Sequence, residues 1–388
     1  MKYMGSKRWM LGNGLGRLLV ERARTAHRFV DLFAGTAAVS WHVAENTELP
    51  VLAVDLQTYS AVMARAVIGR TRKLVSEDLA VEWIKRAEEV REQSPLWGRA
   101  MAYKPENVKP ADVLSGRRLC DRTDSIVTRS YGGYYFSPQQ AVTADALLEV
   151  LPAHEPKRST CLATLIWATT RCVASPGHTA QPFQPTETAL PFIRESWSKD
   201  LLAACYEILP LIANRAANCP GEAVVGDAIE IASLEIGRED LVFVDPPYSA
   251  AQYSRFYHVL ETVARGSCGA VSGGGRYPPF EERPRSRFSL VSEAPRAIRD
   301  LLEALGTSGC TVVMTFPQHS CSNGMVGEEL ITIARRWFEV DVTSVNTRHS
   351  TLGGNNTSRS ARRVGLELIL SLSPRRRVAK RFVRNTAV

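Results

Sequence analysis

Apolar residues along this chain gather in short runs that end in acids, glycines or prolines, and between several runs the period becomes helical. The clearest run is Leu241-Val-Phe-Val244, preceded by the charged segment 237–240 and followed by Asp245, Pro246 and Pro247. Four apolar residues without alternation fit a strand covered on both faces, as in the middle of a parallel sheet. A second run, Phe29-Val30, leads through Asp31 into the small residues Ala34, Gly35 and Thr36 and then into a helical pattern around Trp41 to Ala44. Val51 to Asp55 is a third, ending in an acid. Residues 223–225 and 310–316 add two more strands, and 338–344 with 364–372 form an antiparallel edge joined by a polar loop over 347–363. Helices are expected over 8–24 and 253–263. The pattern predicts an α/β fold with a mostly parallel, doubly covered sheet and an antiparallel edge.

Residues 57–223 break the alternation of strand and helix. Helical patches near 59–84, 143–151, 161–170 and 194–211 are separated by loops rich in Pro, Gly, Arg and aromatics, which predicts a large, mainly helical insertion. Over 388 residues, 45% hydrophobic and 23% charged content describes a soluble globular protein. No run reaches the roughly 18 apolar residues of a membrane span, and the N-terminus lacks a signal-peptide layout, so a cytoplasmic location is expected. Eight cysteines without Cys-x-x-Cys or His spacing read as reduced structural thiols with no metal site.

The net charge of +8 matters because it is clustered. Residues 265–299 carry seven Arg against three Glu, and 374–384 carry six basic residues and no acid, which points to a polyanionic partner. Arg117, Arg118, Arg122 and Arg129 precede Tyr131-Gly-Gly-Tyr-Tyr-Phe136, either cations beside stacking aromatics for a nucleic acid or a basic loop over an aromatic core patch. The Gly- and Arg-rich segment 266–287, which includes Arg276, has no apolar period and is expected to be mobile when free and to order on a nucleic acid. Tyr253, Arg255 and His258 sit where a helix leaves the central strand and can face a nucleotide or the core.

Two stretches carry candidate chemistry. Strand, small-residue turn, helix, strand and terminal acid, with Asp55 placed 24 residues after Asp31, is the layout for a nucleoside-containing cofactor, the second acid on the ribose. Gly35 is the single glycine of the turn, so this is not a dinucleotide fingerprint. At Asp245-Pro246-Pro247-Tyr248 the plain reading is a strand-end turn. The chemical reading is a pocket for an amino group on a flat ring: Asp245 and the Pro246 carbonyl accept its two N–H groups and Tyr248 supplies a stacking face. The compact cluster Lys2 to Lys7, opened by Gly5-Ser6, can hold a carboxylate through Lys7 and helix-start amides.

The Lys2 to Lys7 cluster, Asp31-Leu-Phe-Ala-Gly35, Asp55 and Asp245-Pro-Pro-Tyr248, in that order, resemble the Dam-like N6-adenine DNA methyltransferases. The resemblance covers roughly residues 1–60 and 220–260. It implies a Rossmann-like methyltransferase sheet, S-adenosylmethionine as cofactor, and methyl transfer to N6 of an adenine extruded from a short duplex DNA site. Tyr3, Lys7, Asp31, Phe33, Gly35 and Asp55 would hold the cofactor, with Asp227 facing its adenine, and Asp245 to Tyr248 would hold the target base. Arg117, Arg118, Arg122, Arg129, Tyr131, Arg255 and Arg276 would meet DNA. Ala37 stands where the family has a second glycine, which a negative φ would allow. The catalytic unit is expected over 1–56 and 224–373, with 57–223 a target-recognition insertion and 374–388 a basic disordered tail. A prokaryotic or phage-encoded enzyme with a cognate restriction nuclease or defence subunits would follow. N4-cytosine transfer, an RNA substrate and a non-catalytic DNA-binding regulator are the alternatives; cytosine C5 chemistry is disfavoured because no Cys follows a proline.

Overall fold

The computed structural model describes residues 7–176, 178–350 and 362–375; Tyr3 and most of the basic tail lie outside them. Seven strands form one sheet: β1 Arg28–Asp31, β2 Val51–Asp55, β3 Glu222–Val225, β4 Asp240–Val244, β5 Thr311–Pro317, β6 Phe338–Ser350 and β7 Arg362–Pro374. Their order is β3-β2-β1-β4-β5-β7-β6. The first five pair in parallel, and β7 joins β5 and β6 antiparallel. This is the Rossmann-like methyltransferase sheet. The edge pair is longer than its apolar pattern suggested, because polar residues on both strands continue the ladder to Ser350 and Arg362.

Strand periodicity explains the unbroken apolar runs. Phe29, Leu241 and Phe243 point to one face and Val30, Val242 and Val244 to the other, and each face has its own core. One face is covered by helices Ala228–Leu234, Ala294–Ser308 and Gly327–Ala334. The other is covered by Ala38–Asn46, Thr58–Ile68 and His258–Arg265, and beyond them by the insertion helices, whose Trp83, Tyr131, Leu165 and Ile208 belong to the same core. Among the described residues no helix is long and apolar enough to cross a membrane.

The insertion closes on itself at its base. Gly221 N–H donates to Ile68 O at 2.8 Å, Ala217 N–H to Arg70 O at 3.0 Å and Leu74 N–H to Ala213 O at 3.0 Å. Arg70 fills the stem: its guanidinium donates to Ala66 O (2.9 Å), Arg72 O (2.9 Å), Ala213 O (3.2 Å) and Ile212 O (2.8 Å). Burial lowers its pKa to about 10.

Several expected helices are broken, each for a local reason. The 8–24 stretch departs from helical angles at Asn13 and Gly14. The 194–211 patch is two helices, Leu190–Trp197 and Leu201–Ala213, the second capped by Asp200. The 253–263 helix splits at Tyr257, φ −127°, into Tyr253–Phe256 and His258–Arg265. Conversely, the Arg117 and Arg129 segments, read as loops, are helices Pro110–Cys120 and Ile126–Tyr131. Pro110 at the first helical position and Asp112 accepting from Lys109 N–H at 2.9 Å are start signals that stood in the sequence.

Candidate functional site

The carboxyl ends of β1, β2, β3 and β4 deliver Asp31, Asp55, Asp227 and Asp245 to one cleft, at the point where the strand order reverses between β1 and β4. The cleft is about 970 Å³ including open solvent at its mouth. Lys7, Asp31, Phe33, Gly35, Asp55, Asp227, Asp245, Pro246, Pro247 and Tyr248 all line it.

On one side, the turn after β1 wraps around two carboxylates. Asp55 accepts from Gly35 N–H at 2.8 Å and Gln57 N–H at 3.0 Å, and burial pushes its pKa up to about 6. Asp31 accepts from Ser40 Oγ at 2.6 Å and Phe33 N–H at 3.4 Å, so it shapes the turn; burial raises it to about 7. Gly35 takes φ +52°, and Ala37, contrary to the expected negative φ, takes +60°. A left-handed alanine costs about 1 to 2 kcal/mol, and enclosure of its fully buried methyl offsets about 0.8 kcal/mol of that. Asp227 caps helix Ala228–Leu234 through Ile229 N–H at 2.8 Å.

Gln57 was missed by sequence reasoning. It is buried in the cleft wall beside Asp55, its Nε2 donates to Tyr59 Oη at 3.2 Å, and its Oε1 has no partner among the described residues. The amide that would conventionally cap the next helix is free for this because Glu261 takes the capping role, accepting from Thr58 and Tyr59 N–H at 3.1 Å each. That contact ties the segment after Asp55 to the one after Tyr248.

On the other side, Asp245 Oδ1 forms an ion pair with Lys7 Nζ at 2.9 Å and accepts from Thr315 Oγ1 at 2.8 Å. Burial raises the Asp245 pKa, Lys7 opposes the rise and Glu367 adds to it. Burial alone would lower the pKa of the Lys7 ammonium, but Asp245 and Glu367 hold it well above the ordinary lysine range. Burial also pushes the Tyr248 phenol up to about 12. The Pro247 carbonyl is fixed by Asn323 Nδ2 at 3.1 Å, another contact without a motif to announce it. Gln252 and Ser286 exchange two hydrogen bonds at the rim, and Phe288 meets Phe33 edge to face at 5.1 Å.

The expected DNA-contacting residues divide. Arg118, Arg122 and Arg129 are exposed on the insertion. Tyr131 is a correction: it is wholly buried, with its hydroxyl 2.8 Å from Thr262 Oγ1, because its helix turns the aromatic inward and the arginine out. His258 is likewise buried among Tyr131, Tyr135 and Tyr277, and burial lowers its pKa to about 4. Arg276 spends its guanidinium on Ser130 O and Arg129 O, both at 2.8 Å, and shares the Tyr134 ring with Arg117. These bonds tie segment 266–287 to the end of helix Ile126–Tyr131. Arg255 and Arg283 flank Tyr277, and Arg283 and Arg285 flank the exposed Phe280, beside Pro284 at the cleft mouth.

A Rossmann-like sheet with an acid-lined, two-sided cleft at its switch point defines the class as a methyltransferase fold. Residues 3–93 match the family model of the D12 class N6 adenine-specific DNA methyltransferases, in line with the resemblance carried by the motifs. Modification methylase StsI of Streptococcus sanguinis is 27% identical over 104 residues, 27% of this chain and 15% of that protein. Modification methylase LlaI of Lactococcus lactis subsp. lactis is 30% identical over 122 residues, 31% of this chain and 18% of that protein. Type II methyltransferase M.NlaIII of Neisseria lactamica is 24% identical over 296 residues, 68% of this chain and 69% of that protein. The matched stretches thus span less than a fifth of the first two relatives and about two thirds of the third.

Proposed function

We propose that this protein transfers a methyl group from S-adenosylmethionine to N6 of an adenine extruded from a specific duplex DNA site, as the modification enzyme of a restriction or defence system acting in the cytoplasm. The observation that carries the reading is the convergence of separated motifs on one cleft: Gly35, Asp55 and Gln57 on one side face Asp245 and Tyr248 on the other. Similarity to proteins named as modification methylases supports it.

The cleft fits the cofactor on its own evidence. Gln57 Oε1 is a buried acceptor lacking a donor among the described residues, next to a carboxylate with lone pairs to spare, as hydroxyl-bearing ribose requires. Asp55 and Gln57 would hold the nucleoside end, and Lys7 and the turn at Phe33 to Gly35 the amino-acid end. When bound, S-adenosylmethionine supplies an electrophilic methyl on a sulfonium.

The chain's residues do the rest. Tyr248 offers its ring to the extruded base, offsetting part of the few kcal/mol that unstacking costs. Asp245 Oδ2 accepts one amine N–H and the Pro246 carbonyl the other, which aims the nitrogen lone pair at the methyl and stabilises positive charge as it develops. Asp245 Oδ2 then lies in reach of the proton that N6 sheds. Arg255, Arg283 and Arg285 have no carboxylate partner among the described residues and suit the phosphates flanking the site.

Incubation of the full chain with labelled cofactor and duplex DNA, followed by nucleoside analysis, should give N6-methyladenine. Label found only in RNA or only on N4 of cytosine would overturn the assignment. Asp55→Ala should weaken cofactor binding about tenfold or more, the scale of losing a charge-assisted hydrogen bond; unchanged affinity by calorimetry would remove Asp55 from the site. Joint replacement of Arg283 and Arg285 by Ala should weaken binding to all sequences alike and flatten the plot of log affinity against log salt by about two. A change in the methylated sequence would instead show that these arginines read bases.

A further inference from the structure

Behind the catalytic Asp245 lies a charge that no motif pointed to. Glu367 sits in β7, paired with Pro317 of β5 and Val345 of β6, and is 3% exposed. An acid at the centre of a buried ladder carries a heavy desolvation penalty unless it is paired. Its partner is Lys7, whose Nζ is 2.7 Å from Glu367 Oε1 and 2.9 Å from Asp245 Oδ1. One ammonium therefore bridges the half-buried Asp245 and the buried Glu367, and Glu367 itself does not line the cleft.

We infer that Glu367 is a positioning residue for methyl transfer: it holds Lys7 on Oδ1 of Asp245, keeps Oδ2 open for the adenine amine, and makes the triad net negative. This rests on the functional reading above. The geometry gives two reasons. Without Glu367, Lys7 has a single counter-charge, and the favourable position for an ammonium beside one carboxylate is astride both oxygens, which would occupy the acceptor that the amine needs. With Glu367 ionised, two carboxylates and one ammonium leave one negative charge behind the site where a positive charge develops on nitrogen, whereas the Lys7–Asp245 pair alone is neutral. Thr315 donates from β5 to Oδ1, the same oxygen that stands 2.9 Å from Lys7 Nζ.

The other ionisable groups facing this triad are few. Asp31 at the end of β1, Tyr253 on the helix after the motif, and Tyr248 in the motif face Asp245, and Cys321 faces Glu367 and Tyr248. Among the described residues Lys7 is the single cation of this group, so removing Glu367 or Lys7 changes the field at Asp245 in opposite senses.

The test is the pH profile of methyl transfer to a duplex oligonucleotide by the full chain. Glu367→Gln should lower plateau kcat about tenfold with KM for cofactor and DNA held within about twofold, and should move the acid limb of the profile to lower pH, because a neighbouring negative charge is gone. Lys7→Gln should move the acid limb to higher pH. An unchanged plateau and limb in Glu367→Gln would overturn the inference, as would a lower plateau with an unmoved limb, which marks a packing role. If Glu367→Gln does not fold, the decision passes to Lys7→Gln, where an unmoved limb overturns the inference. Failure of the wild-type chain to methylate adenine would sink the functional reading and this inference with it, whereas wild-type activity matched by Glu367→Gln sinks the inference alone.

Discussion

Asp245→Ala should reduce methyl transfer by about 10² to 10³-fold or more, the scale on which a single preorganised transition-state contact acts. The carboxylate is held by Lys7 and Thr315 on one oxygen, so its other oxygen is fixed in place before substrate arrives. On the proposed reading its removal deletes the acceptor for the amine, and it leaves Lys7 paired to Glu367 alone. DNA binding should persist, since affinity comes chiefly from phosphate contacts elsewhere. Tyr248→Ala should behave differently, because stacking is worth about 1 to 3 kcal/mol per base and lowers the cost of extrusion rather than the barrier to transfer. A mismatch opposite the target adenine should therefore restore much of the Tyr248→Ala rate and little of the Asp245→Ala rate under single-turnover conditions. Substantial turnover by Asp245→Ala on either duplex would refute the role assigned to this carboxylate.

Arg70→Met should destabilise the protein by about 3 kcal/mol or more. The buried guanidinium serves four backbone carbonyls at the stem of the insertion, and a charged hydrogen bond to a buried group is worth about 1.5 to 3 kcal/mol. Methionine fills the space and donates nothing, so Ile212 O and Arg72 O lose this donor. Arg70→Lys should recover only part of the loss, since a point charge cannot reproduce the planar fork. Urea denaturation followed by circular dichroism would measure both variants, and a loss below about 1 kcal/mol for Arg70→Met would show that water replaces the guanidinium.

What the sequence made legible was chemistry at strand ends. Asp31, Asp55 and Asp245 each close an apolar run, so the two periodicities placed them at the same edge of the sheet before any contact was known. Contacts made through tertiary structure left weaker traces. Glu367 lies between Leu366 and Leu368 and belongs to no motif; a lone acid inside an apolar run was the one available sign. Gln57 follows Asp55 by two residues and belongs to no motif, and the helix start beside it is capped by Glu261, over two hundred residues away. Tyr131 misled because arginines before it suggested a surface, whereas a helix puts adjacent residues on different faces. Ala37 shows the limit of a residue-type argument: packing holds an alanine where backbone preference alone asks for glycine.

The closed stem of the insertion bears on how such an enzyme can diversify. Strands β2 and β3 are neighbours, and the chain leaves after one and returns to the other across a few backbone hydrogen bonds. Everything between is a loop in the topological sense, so recombination can lengthen, shorten or exchange its outer helices without altering the register of a single strand. Its inner helices, Lys157–Cys172 and Leu201–Ala213, are under a different constraint, because they share the core that roofs the sheet. The outer shell can thus change while the inner shell and the sheet are kept together.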